Sequence, residues 1–408
     1  MSDAALAAPP VKVGLPVQAG RLFVIFMGPS LGGLAPLGLA VDQPALAAHF
    51  GGGAEGMLRA GTVFSAPSLA IIVGAPLGGW LAERFGYRLT LLLALLVYAL
   101  MGPAGLVIDF YLPLLATRLV LGLAAGAVMA VYLALAAAYY DGDARAKVIG
   151  FAVAASTVVG MLALALGGEL VELGGWRAPF AMYLIGAATL AVAWATVHGP
   201  FHARARAAKT TGSRGAVLAV ARLWPVYLAL ILISIGTFMP SAGGPFLLKA
   251  NGIERPGLQG LMLSVGSASA FFTAAGYGFL RGWLSDWALF ILIAAFMGAG
   301  LAAAAPLHDG FALLAAFFVV GIGTGFKAPV AASILMAQAP PHVRAAAAGL
   351  NFSCIFLGQA LGPFVLRALA PLGIQGTFLA VGGTLAATAG AIALAGIGKD
   401  KPVPAEAS

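Results

Sequence analysis

Apolar runs of 20 or more residues recur from Leu22 almost to the C-terminus, with few polar breaks between them. Each run is long enough to cross a hydrocarbon core of about 30 Å as a helix. A transmembrane β-barrel would instead alternate apolar and polar residues over roughly ten positions per strand. These runs are continuous and rich in Ala, Leu and Gly. Lipid offers the backbone no hydrogen-bond partner, so a run of this kind becomes a helix that satisfies its own backbone. Composition points the same way: 61% of the 408 residues are hydrophobic and 9% are charged, against about 25% charged in soluble domains. The chain reads as an all-α membrane protein.

Twelve spans are expected, at residues 22–48, 57–81, 88–108, 111–138, 147–172, 178–198, 224–248, 257–281, 287–306, 311–338, 345–370 and 374–397. With the N-terminus in the cytoplasm, 15 of the 22 Lys and Arg residues fall on the inner side. Five (Arg59, Arg177, Lys249, Arg255 and Arg367) fall outside, and Arg118 and Lys327 lie within spans. The positive-inside rule then puts both termini in the cytoplasm, with a bacterial inner membrane as the expected location. The net charge of +8 reports topology and gives no ground to expect a nucleic-acid partner. The first 20 residues lack the basic start, apolar stretch and cleavage site of a signal peptide and read as a short tail. A single cysteine, Cys354, and five histidines without ligand spacing give no reason to expect a metal or other cofactor.

The longest polar stretch, His198 to Gly215, lies near the middle of the chain. The expected organisation is a tail (1–21), a six-helix half (22–198), a linker (199–223), a second half (224–397) and a C-terminal tail (398–408). Sliding the sequence on itself by 199 residues superimposes Gly79 on Gly278, Gly122 on Gly321, Gly126 on Gly325, Arg145 on Arg344 and Gly150 on Gly349. The two halves read as repeats of one unit.

Charge, scarce elsewhere, gathers in "GGWLAERFGYRLT" (78–90), which carries Glu83, Arg84 and Arg88 in the short turn between spans two and three. There Gly79 is expected to let helices approach and Gly86 to take a left-handed turn. An ordinary short inner loop would also collect such charges. The string "GWLAERFGYR" resembles the signature loop of the major facilitator superfamily, Gly-x-Leu-Ala-Asp-Arg-x-Gly-Arg-Arg/Lys. It departs from that pattern at Glu83, where the family has Asp, and at Tyr87, where the family has a basic residue. Arg118-x3-Gly122-x3-Gly126 resembles the family's fourth-helix motif, and "GGWRAPF" from Gly174 its entry to helix six, so the resemblance covers essentially the whole chain. It implies a twelve-helix fold with a latch at the inner ends, formed by Glu83 with Arg344 and the start of span eleven. Gly79, Glu83, Arg84, Gly86, Arg88 and Arg344 are thus the expected gating residues. Within the family the chain looks most like drug/proton antiporters of the arabinose-efflux and bicyclomycin-resistance type. Their fifth-helix signature, Gly-x8-Gly-x3-Gly-Pro-x2-Gly-Gly, is split here. Span five keeps Gly167 and Gly168 but has Ala163 and Leu164 for the Gly-Pro, while Gly349, Gly358, Gly362 and Pro363 fall at the opening spacing in span eleven.

A charge at bilayer depth is costly unless it faces water or a partner, which makes intramembrane ionisable residues functional candidates. The resemblance places helices one, four, seven and ten around a central cavity, and Asp42, Arg118 and Lys327 fall on three of them. Asp42 and Arg118 both sit roughly 10 Å from the outer side and are expected to form a proton-coupling pair, Asp42 as carrier and Arg118 as counter-charge. In the alternative, Pro44 ends span one early and Asp42 is a solvated cap. Lys327, in "VGIGTGFKAPVAAS", lies near the midplane; Gly321, Gly323 and Gly325 are expected to loosen the helix before it and Pro329 to kink it. With no acid evidently level with it, its ammonium is expected to meet an anionic substrate group, snorkelling or a structural bond being the alternatives. Ser30, Met129, Tyr132, Tyr227, Ser234, Thr237, Met239, Asn351 and Gln359 are further candidate substrate contacts, as residues suited to an adaptable pocket or simply to helix packing.

None of these features supports an enzyme. With no nucleotide-binding motif, energy is expected from an ion or substrate gradient, the proton ahead of sodium. The first reading is a monomeric, proton-coupled, alternating-access exporter of a small amphipathic organic compound bearing a negative charge where Lys327 takes part. The second is an organic-anion/proton symporter, and the third a lipid flippase or membrane sensor.

Overall fold

The computed structural model describes residues 14–198, 223–339 and 344–394. The expected C-terminal tail, most of the N-terminal tail and the linker apart from Leu223 lie outside them. Among the described residues the helices are α1 (Leu15–Leu37), α2 (Gln43–His49), α3 (Gly53–Phe85), α4 (Tyr87–Met101), α5 (Tyr111–Tyr139), α6 (Gly142–Gly174), α7 (Ile185–Thr196), α8 (Trp224–Ala250), α9 (Pro256–Arg281), α10 (Asp286–Ala304), α11 (Gly310–Gln338), α12 (Arg344–Ala368) and α13 (Gly373–Leu394). No strand occurs among them. We call the end where α1 begins and α13 ends the terminal face, and the opposite end the distal face.

A continuous apolar segment of 55 residues, Gly142–Thr196, contains α6, a 3-10 stretch and α7. A straight helix of that length would extend about 80 Å, far beyond a bilayer. The chain reverses at Gly175, whose φ of 67° favours glycine, and so crosses twice. With ten further helices long and apolar enough to span, this makes twelve crossings among the described residues, close to the expected boundaries. The exception is span one. It begins at Leu15 rather than residue 22, ends at Leu37, and gives way to a turn before α2. Pro16 and Pro44 set the two starts, since proline lacks the N–H that a first helical turn leaves unpaired in any case.

The 199-residue repeat reappears in the packing. A Cβ added at Gly122 would stand 2.3 Å from the Pro67 carbonyl oxygen, and one at Gly321 would stand 2.1 Å from the Gly266 carbonyl oxygen. A Cβ at Gly126 would meet Ala75 N at 2.6 Å and Ile71 O at 2.9 Å; at Gly325 it would meet Ala274 N at 2.9 Å and Ala270 O at 2.3 Å. Every partner is displaced by the same 199 positions as the glycine it meets. Helix α5 thus seats against α3 as α11 seats against α9. Contacts between the halves obey the same rule: Gly61 meets Pro363 (2.8 Å from an added Cβ), and Gly260 meets the Leu164 carbonyl oxygen (2.2 Å).

These inter-half contacts lie toward the distal face, where α3 packs on α12 and α6 on α9. Gln43 Nε2 donates to the Ser241 carbonyl at 2.7 Å, and the Gly257 N–H donates to Glu172 at 2.9 Å. Toward the terminal face the halves part around a cavity of about 320 Å³ between α3, α5 and α12.

Gly79 does not mediate close approach: nothing lies within 4 Å of a Cβ added there. Its neighbour Gly78 does, since a Cβ would fall 2.3 Å from Ala127 Cα. One residue turns the helix by about 100°, so only Gly78 faces α5. Gly122→Ala and Gly321→Ala, which push a methyl into backbone, are expected to cost about 1–3 kcal/mol each and lower the melting temperature. Gly150→Ala, with open space around it, should be neutral or raise it through helix propensity; thermal denaturation of the purified variants checks all three.

Candidate functional site

Helix α11 runs unbroken through Gly321, Gly323, Gly325 and Pro329, so these residues do not loosen it as expected. The glycines serve contact instead. Gly321 and Gly325 seat α11 on α9, and Gly323 seats it on α10, where a Cβ would lie 2.8 Å from the Ile293 carbonyl oxygen. Lys327 stands one turn beyond Gly323 on nearly the same face of α11 and reaches α8. Its residue is only 5% exposed, its Nζ donates to Thr237 Oγ1 at 3.0 Å, and the ammonium lies 5.3 Å from the Phe238 ring centroid. No carboxylate of a described residue lies within 4 Å of it. A hydroxyl and a ring face stabilise a buried cation far less than a carboxylate does.

Along α8 and α12 several buried polar atoms have no hydrogen-bond partner among the described residues: Tyr227 Oη, Ser234 Oγ, Asn351 Oδ1 and both side-chain polar atoms of Gln359. Gly358 allows the approach, since a Cβ there would stand 2.5 Å from Ser234 Cβ. Ser234 and Thr237 share one face of α8 at i, i+3. Buried polar atoms left unpaired are costly and rare in folded proteins, and five residues that carry them or serve Lys327 were among the sequence candidates. Of the others, Met129 and Tyr132 line the cavity between the halves. Ser30 donates back to the Phe26 carbonyl of its own helix at 2.7 Å. Met239 is fully buried in the hydrophobic core of the second half. The cavity and the lysine are separate features: Lys327 does not line it.

In the first half, Arg118 and Asp42 form no ion pair, so the expected couple across the cavity is not made. Arg118 is 0% exposed and turns inward, donating to the Met101 and Gly102 carbonyls at 2.5 and 2.6 Å. Its guanidinium sits 4.9 Å from the Phe180 ring and 5.1 Å from that of Tyr183. One nitrogen, Nη2, is thus held by the carbonyls at the end of α4, while Nε and Nη1 are buried without a hydrogen-bond partner. Asp42 stands at the N-cap of α2 but makes no capping bond, and it is 1% exposed with both oxygens unpartnered. That excludes the solvated-cap alternative. Tyr183 stands within electrostatic reach of both residues and donates to the Ala35 carbonyl at 2.9 Å. Gln43, adjacent to Asp42, makes the bond to Ser241 across the halves. Sequence reading missed Tyr183, Phe238 and Gln43; the signal for Gln43 was its place beside an intramembrane acid and before Pro44.

At the terminal face Gly86 has φ 88°, as its turn requires. Glu83 is exposed and forms no ion pair with a described residue. Arg84 lies over Trp80 and Phe85, each at 5.8 Å, and Arg88 over Trp194 at 5.7 Å. The side chain of Arg344 lies outside the described residues. The corresponding turn of the second half is internally satisfied: Arg281 lies 3.7 Å from Asp286 and donates to Ser333 at 3.1 Å, and Tyr277 donates to Asp286 at 3.2 Å.

Comparison with known proteins agrees with this architecture. A methylenomycin A resistance protein of Bacillus subtilis (strain 168) is 36% identical over 119 residues, 29% of this chain and 26% of that protein. A chloramphenicol resistance protein of Streptomyces lividans is 30% identical over 230 residues, 56% and 57% of the two chains. The chain thus spans between a quarter and somewhat over half the length of these curated relatives. A bacterial homologue of the human lysosomal transporter Spinster, inward-facing and occupied, shares the fold at TM-score 0.74 and 16% identity, covering 96% of this chain and 100% of that one. The family model for the Major Facilitator Superfamily matches residues 22–363. Repeat, twelve crossings, signature loop and this match together make the chain a member of the Major Facilitator Superfamily, a family of membrane transporters rather than enzymes.

Proposed function

We propose that the protein is a secondary transporter that exports a small amphipathic organic compound carrying a negative charge, in exchange for protons, by alternating access. The observation that carries the substrate class is the buried ammonium of Lys327, held among the described residues by a hydroxyl and an aromatic ring with no carboxylate beside it. An anionic group entering there gains a charge-assisted hydrogen bond and removes the uncompensated charge. Export is supported by the two resistance relatives. Proton coupling is supported by Asp42, a carboxylate without partners, buried next to the Gln43–Ser241 bond between the halves. In the working cycle, protonation of Asp42 from one side and its release on the other accompanies the making and breaking of the distal contacts. The two rocking units are 22–198 and 224–397, with the terminal face cytoplasmic in a bacterial inner membrane, as the 15-to-5 distribution of basic residues indicates. Glu83, with Arg84 and Arg88 beside it, engages the Arg344 end of α12 when the terminal face closes.

An organic-anion/proton symporter is the second reading, favoured by the same unpaired ammonium. Reconstituted vesicles with an imposed pH gradient separate the two. Antiport predicts substrate movement opposite to the proton flux, symport movement with it, and a substrate flux indifferent to the gradient would discard proton coupling. Lys327→Ala should cut transport of anionic compounds about ten- to a hundredfold, the value of a charge-assisted bond, and leave neutral ones nearly unchanged. Equal loss for both classes would remove the substrate role. Asp42→Asn should abolish accumulation driven by the pH gradient while downhill exchange persists; intact uphill transport would rule out Asp42 as carrier.

A further inference from the structure

In an α-helix the carbonyl of residue i accepts from the N–H of residue i+4. For Ser241 in α8 that residue is Pro245, which has no N–H to give. The Ser241 carbonyl thus loses its helical partner in a buried part of the chain, where an unpaired backbone group is costly. The replacement comes from the other half: Gln43 Nε2, at the start of α2, donates to it at 2.7 Å. The same nitrogen lies 3.3 Å from the Ala40 carbonyl of its own turn, so the bond across the halves is the shorter of the two. Gln43 is fully buried. Chain segments interlock around this bond. Ala40 and Val41, just before Asp42, belong to the hydrophobic core of the second half, while Phe246, just after Pro245, packs against that of the first. At the 199-residue offset Asp42 corresponds to Ser241, so equivalent stretches of the two halves meet here.

We propose that Gln43 is the latch of the distal face: it holds α2 against α8 through the carbonyl that Pro245 frees, and the bond breaks each time that face opens. The role rests on the alternating-access reading, which supplies the opening. A bond between neutral groups suits a part that must open repeatedly, since breaking it costs far less than separating a buried ion pair. In the closed state Gln43 spares the carbonyl from being orphaned; in the open state water entering the cleft takes the place of each group on the other. Loss of the amide therefore penalises the closed state alone, and the balance moves toward distal opening. The Gly257–Glu172 bond of the other seam is untouched by such a loss, so the change is a shift of population and not a collapse of the interface.

Double electron–electron resonance on the full-length protein in lipid nanodiscs tests it. Spin labels at Val107→Cys and Phe311→Cys, exposed distal positions on opposite halves, report the closed and open populations, with Cys354→Ala removing the native thiol. Gln43→Met, which keeps the volume and deletes the donor, should raise the open-to-closed ratio about tenfold, the scale of one buried polar group left unpaired. Pro245→Ala restores the missing N–H, so that Ser241 is satisfied within its own helix; in that background Gln43→Met should change the ratio by less than about twofold. Gln43→Asn, with the amide one carbon shorter, should open the face more weakly and carries the comparison if Gln43→Met folds poorly. Equal shifts in both backgrounds, or none in the wild-type background, overturn the proposal. A single distance under every gradient and added compound overturns alternating access and the latch together, whereas two populations that ignore Gln43 overturn the latch alone.

Discussion

Helices in a bilayer gain little by hiding leucine from lipid, because the surrounding tails are just as apolar. Association then depends on how closely backbones can approach, and here that contact is made by glycine. Gly122 and Gly126 bring α5 onto α3; Gly321 and Gly325 bring α11 onto α9; Gly61 and Gly260 join the two halves near the distal face. At each place a single methyl group would collide with a carbonyl or another part of the chain that has nowhere to move. Because the contacts repeat at one fixed offset, the halves carry the same internal geometry. They also meet through two equivalent seams, α3 with α12 and α6 with α9.

The polar residues do not share that symmetry. The position matching Arg118 in the second half is Phe317, and the position matching Lys327 in the first is Val128. One scaffold therefore holds two different chemistries. Arg118 is turned into its own half, with one nitrogen on the carbonyls at the distal end of α4 and the guanidinium against two aromatic rings. Lys327 sits one turn beyond Gly323 on nearly the same face of α11. It is held across α8 by a threonine hydroxyl and a phenylalanine face. Asp42 lies at the seam itself, buried beside the glutamine that bridges the halves.

The terminal turns differ in the same way. In the second half Arg281, Asp286, Ser333 and Tyr277 close into one network. In the first, Glu83 is exposed and Arg84 and Arg88 rest on aromatic rings without a carboxylate.

Span number, the repeat and its offset of 199 were legible in the residues alone, because length and hydropathy follow from bilayer thickness and glycine spacing follows from helix contact. Lys327 and its partner Thr237 could also be found that way, since an ionisable side chain in an apolar run stands out whatever its neighbours. Which face each residue turns toward could not. Gly78 rather than Gly79 makes the close approach, Arg118 turns to carbonyls rather than to Asp42, and the glycines before Lys327 pack the helix instead of loosening it. Sequence determined that twelve helices cross in two like sets with a few costly charges among them. Tertiary structure alone decided which of those charges meet, because one residue rotates a helix face by about 100° and the partners come from segments far apart in the chain.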